Sequence, residues 1–223
     1  MKEADLYFSS ITNIINTKNN LMLKKLAESP EKFSQAEKRT SVEAVETWCS
    51  FFKIDISKES VEKIIASEPY LLNKDDRKVF EFYASREAIF TAYEVLELNI
   101  NNVTRIYYRL HKKKQLNNSA LLTETIAQYH RALAEKVSPL IAALTCSYRI
   151  LVGDVFYEDN ELMSFLLLLL LLSQNHFYIG QYVSLERKIA ECGDSIIAKK
   201  SVDMNKYIEY MLNIIADAYV QIT

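Results

Sequence analysis

The chain has 223 residues and a formal net charge of −2, from 27 Lys and Arg against 29 Asp and Glu. Hydrophobic residues make up 49% and charged residues 25%, which allows a sizeable buried core and gives no bulk attraction to nucleic acid. Cys49, Cys146 and Cys192 are widely spaced and form no CxxC pair, which argues against a zinc site and for reduced thiols in a cytoplasm.

The opening "MKEADLYFSSITNII" has no apolar region followed by small cleavage residues, so no signal peptide is expected. Glycine and proline occur only three times each, and no Asn-Gly or Asp-Gly hairpin signal appears. The 3.6-residue period dominates, so the expected class is all-α with no sheet. Breaks fall at 28–30, 53–60, 67–76, 98–102, 113–119, 152–160, 175–184 and 198–203, which predicts about nine or ten helices. From Ser119 to Val137, Leu122, Ile126, Tyr129, Leu133 and Val137 share one stripe. From Val202 to Ile222, Tyr207, Met211, Ile214 or Ile215, and Ala218 do the same. Residues 1–40 are read as a helical lead-in and 41–223 as the main domain. The basic run "HKKK" at 111–114 reads as a solvated helix end. His111, His130 and His176 have no second ligand at metal spacing and read as structural or surface residues.

Between Ser164 and Ser173 stand Phe165 and seven consecutive leucines. The apolar stretch from Leu162 to Leu172 is too short for a bilayer, which needs about 20 residues. A helix apolar on every face belongs at the centre of a bundle.

The flanks of this helix carry a resemblance. After it come "GQYVSLERKI" and "KYIEY"; before it come "DDRKVFEFYASREAIFTAYEV", "VTRIYYRLHKK" and "SPLIAALTCSYRILVGDVFYEDN". This layout, over roughly residues 40–223, resembles the Fic-domain family of protein AMP-transferases (filamentation induced by cAMP). The resemblance implies a Fic-like helical bundle with a central leucine-rich helix. It also implies a loop of the form His-Pro-Phe-x-Asp/Glu-Gly-Asn-Gly-Arg ahead of that helix, over 154–162 here.

The loop departs from that pattern. Asp154 stands at the His, Val155 at the Pro, Asp159 and Glu161 at the two glycines, and Leu162 at the Arg. Phe156, Glu158 and Asn160 match, and Phe165 occupies the place of a further Arg. In the family the His is a general base; an ordinary Asp carboxyl is too acidic for that role at neutral pH. The glycines let backbone N–H groups cradle phosphate, and the Arg grips it with a bidentate fork. Four carboxylates now crowd the site and repel a triphosphate unless a hard cation intervenes. The plain alternative is a solvated acidic loop with Asp159 or Asn160 as N-cap of the leucine helix.

Two further departures agree. The connection "KKKQLNNS" at 112–119 is too short for the family's target-holding hairpin flap. In "TWCSFFKIDIS", Phe52 stands where inhibited members carry a Glu, and Lys53 follows. The first reading is therefore a degenerate Fic-fold protein with no catalytic residue and no cofactor, acting by binding protein. The resemblance allows a homo-oligomer. Neither nucleic acid nor a membrane is expected as partner. The rival reading is an altered transferase or nucleotide binder using Mg and ATP. In it Asp154 is the base, Glu158 and Asp159 hold the metal, and Glu158 and Asn160 hold the nucleotide.

Overall fold

Local chemistry sets where the helices begin. The computed structural model describes residues 3–68, 71–111, 116–192 and 203–222. Among these are eleven helices: α1 (Glu3–Glu28), α2 (Pro30–Phe51), α3 (Lys58–Ala66), α4 (Lys74–Ala92), α5 (Ile100–His111), α6 (Ser119–Ala134), α7 (Pro139–Val152), α8 (Asn160–Gln174), α9 (Ile179–Tyr182), α10 (Leu185–Glu191) and α11 (Met204–Ile222). Pro30 and Pro139 open α2 and α7, where a missing N–H loses nothing. Asn73 Oδ1 accepts the N–H groups of Asp75 and Asp76, and Asn118 Oδ1 accepts that of Leu121, so both satisfy orphan donors at helix starts.

The leucine-rich helix is α8. Every residue from Leu162 to Ser173 is buried, as an all-apolar helix requires. Each buried leucine contributes about 1.5–3 kcal/mol over its exposed state. Helices α7 and α4 pack directly on α8. Helix α11 packs on α7 and α9, α6 covers α7, and α1 lies along α11. Helix α2 contacts α4, α9 and α10 and runs unbroken across residue 40. No described helix is long and apolar enough to cross a membrane.

Polar groups tie the layers together. Ser147 of α7 and Ser164 of α8 exchange hydrogen bonds: Ser164 Oγ donates to the Ser147 carbonyl at 2.8 Å, and Ser147 Oγ donates to the Ser164 carbonyl at 3.1 Å. Tyr207 OH of α11 joins the pair, 3.1 Å from Ser147 Oγ, and burial pushes its phenol up to about 12. Tyr219 donates to Asn19 at 2.7 Å, and Asn19 donates to the His176 carbonyl at 3.0 Å, so α1 is fastened to α11 and to the turn after α8.

Three expectations need correction. There are eleven described helices rather than nine or ten, because the 175–184 break contains the short α9. Helix α6 ends at Ala134, since Lys136 turns left-handed (φ 61°) ahead of Ser138 and Pro139. Val137 consequently leaves the buried stripe and is exposed, while Leu122, Ile126 and Tyr129 remain in it. The tail stripe of Tyr207, Met211, Ile214, Ile215 and Ala218 is buried as expected.

Candidate functional site

The loop from Asp154 to Asp159 joins α7 to α8. Gly153 lets it leave, because a Cβ there would sit 2.1 Å from Leu121 Cδ2 and 2.8 Å from the Arg149 carbonyl oxygen. Asp154 (φ 46°) and Asp159 (φ 51°, ψ 41°) both adopt the left-handed conformation. Asp159 thus keeps a backbone shape that favours glycine, at the position where the resemblance expects one; Asp tolerates it better than most residues. As N-cap of α8 it makes no side-chain capping hydrogen bond.

Asn160 does the structural work of the turn. Its Nδ2 donates to the carbonyls of Ile150 (3.1 Å) and Leu151 (2.8 Å), and its Oδ1 accepts the Phe156 N–H (3.1 Å). Its side chain is buried and both ends of its amide are used within the loop. Phe156 is buried against Tyr107 of α5, with ring centroids 4.9 Å apart. Tyr107 OH in turn accepts the Glu158 N–H at 3.0 Å. From the other side, the N–H groups of Asn117 and Asn118 donate to the Val155 carbonyl (2.9 and 3.2 Å). Asn117 Nδ2 donates to the Asp154 carbonyl at 2.9 Å. An isolated antiparallel bridge links Leu116 to Phe156. Residues 112–115, half of the connection expected to be too short for a flap, lie outside the described residues; 116–118 are strapped to the loop.

The predicted site residues therefore separate. Asp154, Glu158, Asp159 and Glu161 are half-buried, Asn160 and Leu162 are buried, and Tyr157 at the tip is exposed. This corrects the picture of a wholly solvated loop: its apolar and amide side chains are anchors, and only part of its acidic surface meets water. No three His, Cys, Asp or Glu side chains among the described residues gather as a metal-ligating group.

Next to the loop stands an aromatic cluster. Phe52, just after α2, stacks on Phe82 of α4 (5.3 Å, 23°) and on Trp48 (6.1 Å, 29°). Trp48 meets Phe165 of α8 edge-on at 5.9 Å. Lys78 Nζ lies 5.0 Å from the Phe52 ring centre. Where the resemblance implies a glutamate facing an arginine, Phe52 and Phe165 are bridged by Trp48. A cleft of about 460 Å³ opens between this cluster and the loop, lined by Phe82, Leu110, Lys78 and Asp159 among others. Its three cations, Lys74, Arg77 and Lys78, are matched by Asp75, Glu81 and Asp159. A roomier groove of about 920 Å³ lies beside it, between the end of α2, residues 53–58 and α10, and shares Ile54 with the cleft.

At the far end of α8 the "GQYVSLE" turn is wired into the core. Arg86 of α4 is 2% exposed; its Nε donates to Glu186 Oε1 at 3.2 Å, its Nη1 to Ser41 Oγ at 3.3 Å, and its Nη2 to the Gly180 carbonyl. Ser184 Oγ donates to Glu186 Oε2 at 3.2 Å and accepts the Arg187 N–H, capping α10. A Cβ on Gly180 would lie 2.7 Å from Leu169 Cδ2. The Arg86 guanidinium also rests 4.7 Å from the Phe90 ring centre. Arg86 and Tyr107 are the functional anchors that sequence reasoning missed. An arginine inside the apolar run "ASREAIF" was the available signal, since buried charges come paired.

No family model matches the chain, and no curated protein does. A solved structure does: the chain superposes on a crystal structure of a Fic family protein from Desulfovibrio desulfuricans G20 with a TM-score of 0.76, covering 99% of this chain and 74% of that one at 15% identity. The chain therefore has the Fic fold, an all-helical architecture built around α8.

Proposed function

We propose that this Fic-fold chain does not transfer AMP and acts by binding protein. One observation carries the reading: Leu162 and Phe165 stand, buried and apolar, at the two positions expected to be phosphate-gripping arginines. The adjoining cleft has balanced charge and so offers a polyphosphate no net attraction. All three cysteines are free, which supports a reducing compartment such as the cytoplasm. Burial pushes the Cys49 and Cys146 thiols up to about 11 and about 12, which keeps both unreactive.

A thermal-shift series with ATP, GTP, CTP and UTP, each with and without Mg or Mn, tests it. A ligand at 100 times its Kd adds about 2.7 kcal/mol. That amounts to a shift of several degrees, since each kcal/mol moves the Tm of a domain this size by about 2–4 °C. No shift is expected, and no labelling of proteins by radiolabelled ATP. A metal-dependent shift with one nucleotide would instead support the rival chemistry, with Glu158 and Asp159 on the cation, Asn160 at the nucleotide and Asp154 as base.

A further inference from the structure

A third pocket lies where α2, α10 and the end of α11 meet. It holds about 430 Å³, toward the small end of the range for ligand sites. Thr40, Tyr182 and Ser184 line it from below and are buried; Arg39, Lys188 and Gln221 line its more exposed side. A helical threonine commonly bonds its hydroxyl to the carbonyl four residues earlier, and Thr17, Thr47, Thr91, Thr104 and Thr123 all do so. Thr40 does not: it is 1% exposed and its Oγ1 has no hydrogen-bond partner. Thr12 and Thr125 are left in the same state, but of the three only Thr40 lines this pocket. Buried hydroxyls ordinarily find a partner, and a threonine on a helix has two side-chain rotamers open to it, so Oγ1 can turn to one that enters. Burial pushes the Tyr182 phenol up to about 12, which keeps it a hydrogen-bond donor.

The charges around the pocket do not cancel. Arg187 holds both of its carboxylates, Glu43 at 3.4 Å and Glu191 at 2.9 Å. Arg39 reaches Glu43 only at 3.9 Å, and Lys188 makes no ion pair among the described residues. Three cations against two carboxylates leave one positive charge over. We propose that the pocket binds a small hydroxycarboxylate, its carboxylate held by Arg39 and Lys188 and its hydroxyls by Thr40 and Tyr182. A single surplus charge suits a monocarboxylate better than a phosphate ester, which carries about 1.5–2 negative charges at neutral pH. The Arg39 guanidinium offers a carboxylate two parallel N–H donors. A carboxylate without a hydroxyl would leave Thr40 unpaired, and that selects for hydroxyl-bearing ligands. The inference does not depend on whether the loop is active.

Chemical-shift titrations of the isotope-labelled full chain with glycerate, acetate, glycerol and inorganic phosphate test it. Glycerate is expected to move the amide signals of Thr40, Ser184 and Gln221 saturably, with a Kd at least tenfold below that of acetate; glycerol alone is expected to move none. Lys188→Ala, at the pocket mouth, should weaken glycerate by about tenfold with the Tm unchanged. Thr40→Val should bring glycerate down to the affinity of acetate, leave acetate as it was, and not lower the Tm, because it removes a hydroxyl that has no partner. A merely structural Thr40 would instead lower the Tm and leave the preference for glycerate over acetate intact. That result, the absence of a saturable response to glycerate, phosphate binding more tightly than glycerate, or a glycerate Kd indifferent to Lys188→Ala would each overturn the proposal.

Discussion

The two ends of α8 make an instructive pair. At its C-terminal end the turn from Gly180 to Glu186 agrees with the pattern of the resemblance; at its N-terminal end the loop from Asp154 to Leu162 departs from that pattern at most positions. Yet both ends hold their backbone in place by the same means, a buried polar side chain with three hydrogen bonds. Arg86 serves one end through Glu186, Ser41 and Gly180, and Asn160 serves the other through Ile150, Leu151 and Phe156. Within the loop, Phe156 and Asn160, two of the positions that match the pattern of the resemblance, are the ones that hold the backbone.

The comparison can be broken most forcefully at the C-terminal end. Glu186→Ala strands the Arg86 guanidinium in the core and should cost about 3–5 kcal/mol, read from urea unfolding. Replacing both members with apolar residues should return much of that loss. At the N-terminal end, Leu162→Arg places a charge where 1% of the residue is exposed and should cost about 3 kcal/mol. An arginine accommodated there without loss would mean that the cleft beside Asp159 reaches position 162.

Smaller changes sharpen the contrast. Tyr107→Phe removes the acceptor of the Glu158 N–H and should cost about 1 kcal/mol, with amide exchange at Glu158 accelerated. A Tyr107→Phe chain that gains a nucleotide-dependent thermal shift would show the tyrosine to be what keeps the cradle closed. Asp159→Gly relieves a left-handed backbone and should raise stability by up to about 1 kcal/mol, partly offset by a freer unfolded chain. Loss of stability on that change would mean the Asp159 side chain contributes more than its backbone strain costs.

Much of this was legible in the sequence. Helix α8 announced itself because an all-leucine face has nowhere to go but the centre, and "GQYVSLE" marked the turn beyond it. The loop's departures could be read letter by letter. What they do in space could not. Tyr107 and Tyr108 are neighbours in "RIYYRL", yet one is fully buried under the loop and the other is exposed. Asp159 reads equally well as a helix cap or as a glycine substitute, and only its dihedral angles show the second. Phe52 and Phe165 lie far apart in sequence, so their meeting through Trp48 was invisible until the fold joined them. Residues 113–119 looked like a bare connection because the backbone hydrogen bonds from Asn117 and Asn118 to Val155 leave no side-chain signature.

The serine exchange between α7 and α8 has a consequence for uniqueness. A helix whose every face is leucine offers its neighbours nearly equivalent surfaces, so sliding by one turn, about 5.4 Å, or rotating would sacrifice little apolar burial. Ser147 and Ser164 meet in only one alignment, and Tyr207 recognises that alignment from a third helix. They act as index marks on an otherwise unmarked ruler. Ser147→Ala with Ser164→Ala should therefore change the melting temperature little but multiply the methyl resonances of the leucine run, as the chain comes to populate several near-isoenergetic seatings of its own central helix.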